Sequence, residues 1–260
     1  MRYYSTLSLA CALLTLVSCG GTNKKETQSA AVTQTTAPPS YFKVDPATAS
    51  VIVGTIKFTG ARPHRERIDM SEDPACVAAH HGPAYDESLV VNPNGTLSNV
   101  FVYIKSGLEG KKFEVPSTPI TIDQRGCWFT PRVLGIQTGQ ILHVVNSDPV
   151  THNIHPMAQI NREWNHSQGP GDPPLVRKFL HPEVMIPVKC NIHRWMHAYI
   201  GVLDHPYFAV TGATGSFEIP NLPPGHYVIE AWQEKLGNQQ QDITVAPSSK
   251  TNVSFTFKGK

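Results

Sequence analysis

The sequence predicts an all-β protein, two β-sandwiches behind an exported N-terminal segment. Three observations point there. Proline and glycine are abundant, 22 and 19 among 260 residues. Apolar residues fall in short alternating runs bounded by Gly, Pro, Asn or Asp, as half-buried strands do. No stretch sustains the 3.6-residue apolar period of a long amphipathic helix. The hydrophobic fraction, 40%, suffices for a globular core. A net charge of +2 is too small for a nucleic-acid binder that works by neutralising phosphates.

The elements follow in chain order. Arg2 precedes an apolar run, Leu7 to Val17, that is too short to span a bilayer. The run ends in LVSC, Leu16 to Cys19, followed by Gly20. This resembles a bacterial lipobox and implies removal of residues 1–18 and lipidation of Cys19. Gly20, rather than an aspartate, implies by the same resemblance an outer-membrane address, the chain facing the periplasm. Residues 19–46 are rich in Thr, Ala, Lys, Gln and Pro and read as a lipidated tether. Some 25 flexible residues reach roughly 25–30 Å.

Alternating runs then read as strands at Ser50–Gly60, Leu97–Gly107, Thr118–Gly126 and Gly139–Asp148, with an irregular stretch between Asp69 and Gly95. Glu183–Cys190 and Ala198–Pro206 are two more, enclosing the loop CNIHRWM. These place a first domain at 47–206. A second, 207–260, carries about four strands around the turn NLPPG, Asn221 to Gly225. Its pattern G-x-F-x-I-x-x-L-P-P-G-x-Y resembles the transthyretin-like, carboxypeptidase regulatory-like β-sandwich module, which implies an accessory or binding unit. Glu230 and Glu234 in it read as solvated surface carboxylates.

Cysteine parity singles out one thiol. Cys11 falls in the apolar leader and Cys19 would carry lipid, leaving Cys76, Cys127 and Cys190 in an oxidising compartment. Three is odd. A Cys76–Cys127 bridge leaves Cys190 alone, and a metal is the usual partner of such a thiol. The other arrangement open to these residues is a second metal site of Cys76, His80, His81 and Cys127.

Cys190 begins a run in which a thiol, the imidazole of His193 and the thioether of Met196 come at i, i+3 and i+6. Thiolate, imidazole and thioether together suit copper, whereas zinc rarely takes methionine. Upstream, VVNSDPVTHNIHPM (Val144 to Met157) offers His152 or His155 from an irregular stretch after a strand.

VNSDPVTHNIH followed by KCNIHRWM resembles the ligand pattern of cupredoxins, the small blue copper proteins, with the loop spacing of amicyanin. The resemblance implies a cupredoxin-like Greek-key sandwich holding one type 1 copper per chain, through His152, Cys190, His193 and Met196. It also implies that Asn153 ties the two ligand loops together. In the family the second imidazole reaches the surface through an apolar patch, for which Pro156, Met157 and Trp195 are the candidates around His193. The chain departs from the family in a long Gly/Pro insertion, Gln168 to Pro174, and in extra histidines: His155, His166, His181, His197 and His205. The implied function is single-electron transfer to or from a redox protein of the cell envelope, not catalysis. The other readings are copper binding or delivery without redox turnover, and a non-redox surface module on the same fold.

Overall fold

The computed structural model describes residues 40–80 and 82–259. Cys19 and the leader lie outside the described residues, as does His81. The described chain is almost entirely β. Its strands, in order, are β1 (Ser50–Thr59), β2 (Phe101–Ser106), β3 (Ile120–Gln124), β4 (Phe129–Thr130), β5 (Val133–Gln137), β6 (Leu142–Asn146), β7 (His152–Pro156) and β8 (His166–Gln168). They continue as β9 (Leu175–Arg177), β10 (Glu183–Lys189), β11 (His197–Leu203), β12 (Phe208–Val210), β13 (Ser216–Leu222), β14 (Gly225–Gln233), β15 (Gly237–Val245) and β16 (Lys250–Lys258). One six-residue helix, α1 (Pro74–Ala79), interrupts the stretch expected to be irregular. Asp73 caps it, accepting from the amides of Ala75 and Cys76, and Pro74 starts it where no amide donor is needed.

Four sheets form, ordered β4-β3-β6-β9, β5-β11-β10-β7-β8, β12-β2-β14-β15 and β13-β1-β16. The first two enclose one core, with Ile122, Leu142 and Val144 facing Ile154, Val188 and Ile200. The last two enclose another, with Ile52, Ile56, Phe255 and Phe257 facing Val102, Ile104 and Ile229. A third cluster, including Phe101, Tyr103, Val133, Met185 and Leu203, fills the seam between the two sandwiches. The seam is tight because Gly135 and Gly201 sit opposite each other on β5 and β11. A Cβ on Gly135 would lie 2.2 Å from the Phe208 ring, and one on Gly201 2.6 Å from Phe101. The buried pair Arg132–Glu234, 2.7 Å at its shortest, bridges residues from either side. Glu234 is therefore an ion-pair partner, and Glu230 accepts from Tyr103 and Lys105; neither is the solvated carboxylate expected.

One expectation needs correction. The boundary at 206/207 does not separate the strands: β1 pairs with β13 and β16, and β2 with β12 and β14. The C-terminal sandwich is completed by strands from the start of the described chain. Three of the four sheets are mixed, since β1–β16, β3–β6 and β5–β11 pair in parallel, whereas β12-β2-β14-β15 is antiparallel throughout. Parallel neighbours need a crossover, and here at least one strand of the facing sheet lies between each such pair along the chain. In the NLPPG turn the left-handed residue is Asn221, φ 56°, and the Tyr227 hydroxyl donates to the Pro223 carbonyl at 2.7 Å.

Candidate metal centre

The loop CNIHRWM is a hairpin connection. β10 and β11 pair antiparallel down to Lys189 opposite His197, so residues 190–196 form the loop and Cys190 faces Met196 across its neck. The Cys190 amide donates to the Met196 carbonyl at 3.1 Å, and the Met196 amide to the His193 carbonyl at 3.0 Å. The six-residue spacing of thiol and thioether is thus the closing pair of a hairpin. Met196 is fully buried in the first sandwich core, beside Cys190.

The first histidine comes from β7. The sequence reading placed it on an irregular stretch; it lies on a strand. Successive side chains of a strand point to opposite faces. His152 and Ile154 face the core, both fully buried. His155 faces the other way and its Nε2 meets the Glu163 carboxylate at 2.5 Å. Strand alternation thereby selects His152 over His155.

Three donors converge: Nδ1 of His152, Nδ1 of His193 and Sγ of Cys190, all buried. The two Nδ1 atoms lie 2.9 Å apart, and His193 Nδ1 is 3.9 Å from the sulfur. His152 Nε2 is 2.8 Å from Asp148 Oδ2, and His193 Nε2 is 2.9 Å from Asp73 Oδ2. An ionised carboxylate only accepts, so each Nε2 must carry a proton. A neutral ring then presents a bare lone pair at Nδ1. Two such lone pairs 2.9 Å apart repel unless a proton or a metal cation lies between them. The donor set of two imidazole nitrogens and a thiol, with a thioether buried beside it, fits a soft or borderline metal ion.

The surroundings prepare the sulfur. The amides of Asn153 and His193 point at Cys190 Sγ, at 3.5 and 3.4 Å. Burial works against the thiolate, but the His152 ring and the amides of Asn153, His193 and Ile192 outweigh it and bring the thiol down to about 7. For His152 burial opposes the charged form, and Asp148 and Cys190 raise it above the usual imidazole range. Asp148 is held below the usual carboxylate range despite burial, by His152 and the amides of Cys127 and Gly126. Asn153 links two loops: its Oδ1 accepts from the Asn191 amide at 2.5 Å, and its side-chain nitrogen donates to Asn165.

The other two cysteines among the described residues form a disulfide, Cys76–Cys127. Cys190 is free and buried. The bridge closes the alternative in which Cys76, Cys127, His80 and His81 hold a metal; His80 instead accepts from the Trp128 indole at 2.8 Å. The expected exposure of His193 also fails. The residue is 3% exposed, its ring covered by Asp73, with Trp195 packed at 5.2 Å between ring centroids. The stretch 60–95, which carries no family signature, supplies this cover. Asp148 and Asp73 are the two functional candidates that sequence reading missed. Asp148 sits in the quoted N-S-D and was legible as an i, i+4 partner of His152; nothing in the sequence ties Asp73 to His193, 120 residues away.

Similarity to known proteins is partial. A family model described as polysaccharide lyase family 4, domain II matches residues 196–253. It differs from the carboxypeptidase regulatory-like module expected there, and it begins within the ligand loop at Met196. No curated protein matches the chain. Among solved structures, the chain is similar to a copper-containing nitrite reductase from Thermus scotoductus SA-01 at 23% identity and TM-score 0.32. That match covers 39% of this chain and 25% of the reductase, so the chain spans about a quarter of that enzyme. An oxidized amicyanin variant matches at 17% identity and TM-score 0.30, over 39% of this chain and 97% of its own. A purple cupredoxin from Nitrosopumilus maritimus matches at 20% identity and TM-score 0.28, over 32% and 97%.

Proposed function

We propose that this chain is a mononuclear type 1 copper protein that carries single electrons in the bacterial cell envelope, anchored through a lipidated Cys19. The observation that carries the reading is the pair of carboxylate-backed imidazoles turned Nδ1 to Nδ1 beside a free, buried thiol. Copper held there supplies reversible one-electron chemistry. His152, Cys190 and His193 would hold it, with Met196 as a weaker donor. Their burial excludes water, and the frame of backbone and carboxylate hydrogen bonds keeps the donors in place in both oxidation states. Little rearrangement then accompanies a change of charge. The two amides aimed at Cys190 delocalise its negative charge and raise the potential relative to a sulfur without them.

The function is that of a carrier rather than an enzyme, and the other party is a redox protein of the envelope meeting it transiently. Copper loading of the purified chain tests the reading. Stoichiometric uptake with an intense visible thiolate band and narrow hyperfine splitting is expected. A pale, readily chelated copper, or none, would sink it. Fractionation with metabolic fatty-acid labelling tests the anchor: Cys19→Ala should release the protein from the membrane fraction.

A further inference from the structure

The proposed function uses the ligands but leaves unexplained why a disulfide-stapled segment crosses them. Asp73 divides its two oxygens. Oδ1 accepts from the amides of Ala75 and Cys76, at 3.0 and 3.2 Å, holding the start of α1. Oδ2 meets His193 Nε2 at 2.9 Å. Cys76, within α1, is bonded to Cys127. The Cys127 amide in turn donates at 2.7 Å to Asp148 Oδ2, the oxygen that holds His152 Nε2. Cys76 Sγ lies within 4.8 Å of the Asp73–His193 pair, and Cys127 Sγ within 4.8 Å of the Asp148–His152 pair. Both sulfurs belong to fully buried residues. Trp195 completes the enclosure, donating from its indole to the Cys127 carbonyl at 3.1 Å.

We propose that Asp73 is a positioning residue of the metal centre and that the Cys76–Cys127 bridge is its clamp. The bridge ties one carboxylate–imidazole pair to the other, so that both rings keep Nε2 occupied and Nδ1 turned toward Cys190. The inference rests on the reading of these side chains as a copper centre. The two halves are not equivalent. Asp148 has anchors of its own, the amides of Gly126 (2.6 Å) and Cys127 and the Asn146 side chain that accepts from its amide. Asp73 sits at the end of a six-residue helix, too short to hold itself in water. Loss of the clamp therefore frees His193 and leaves His152 in place.

Ring-nitrogen NMR of the metal-free full chain tests this without copper. Slowly exchanging Nε2–H signals are expected for both rings. Asp73→Ala should lose the His193 signal and keep that of His152, and should bind copper(II) about 10–100-fold more weakly. Asp73→Asn, whose amide oxygen accepts the same proton, should restore the signal and most of the affinity. Cys76→Ala/Cys127→Ala should reproduce Asp73→Ala at His193; if that variant does not fold, the Asp73 pair decides alone. Retention of the wild-type His193 signal and copper affinity in Asp73→Ala would overturn the proposal. A wild-type chain that takes up no copper would instead overturn the proposed function, and the ring signals would still decide the role of Asp73.

Discussion

His152 and His193 face each other through Nδ1 at 2.9 Å, each with its Nε2 on an aspartate. The carboxylates oblige both rings to present lone pairs to the same point. A carboxylate accepting from the far side of an imidazole also makes it a stronger donor to a metal.

Cys190→Ser should abolish the visible thiolate band, because the hydroxyl has neither the charge nor the polarisable sulfur that produces it. Absorption of the copper-loaded variant checks this. An unchanged spectrum would mean that another atom is the ligand.

Met196→Leu should leave copper bound and raise the reduction potential, since a weak donor to the cupric state is removed. The exchange nearly conserves volume at a fully buried position, so the folding cost should stay below about 1.5 kcal/mol. Voltammetry and thermal melting separate the two effects.

Asp148→Ala strips an acceptor from two amides, Gly126 and Cys127, and from the His152 ring. Each buried donor left unpaired costs about 1–3 kcal/mol. The left-handed backbone at Cys127, φ 56°, loses the contact that offsets its strain. Denaturant unfolding of the metal-free protein should show the loss, and a midpoint equal to wild type would refute it.

His205 gives the stability a pH dependence. Its Nδ1 accepts from the Tyr207 amide at 3.2 Å, and its ring stacks on Tyr207. Burial lowers its pKa below the ordinary 6.5, against the pull of Asp204. Below pH 6.5 the unfolded chain therefore binds the proton more readily than the folded one. Stability contributed here is complete above 6.5 and drains away as the pH falls toward the folded value. His205→Asn keeps an acceptor without a titrating ring. Melting curves at pH 7.5 and 5.5 should show a smaller drop for the variant than for wild type; an equal drop would exonerate His205.

Gly135→Ala should destabilise the seam between the sandwiches by about 1–3 kcal/mol through overpacking, as its methyl would strike Phe208. Phe208→Leu in the same chain should recover part of the loss, and additivity of the two changes in unfolding experiments would contradict the contact.

Much of the fold was legible because it is written in local pattern. Alternation located β1, β3, β6, β10 and β11 to within a few residues. β5 was overlooked because VLGIQ is buried on both faces and so does not alternate. The weave of β1 and β2 into the C-terminal sheets was not legible in this way. Sheet neighbours are chosen by complementary edges and faces, not by order along the chain.

The sequence by itself determined the all-β class, the odd cysteine count that leaves one thiol unbridged, and a seven-residue run whose spacing makes a thiol and a thioether close one hairpin. These depend on counts and on contacts a few residues apart. Tertiary structure alone decided that His152 rather than His155 turns inward, and that a distant Asp73, clamped by Cys76 and Cys127, covers His193. A strand's face is fixed only once a core lies on one side of it. A hydrogen bond across 120 positions exists only after the chain has folded back upon itself.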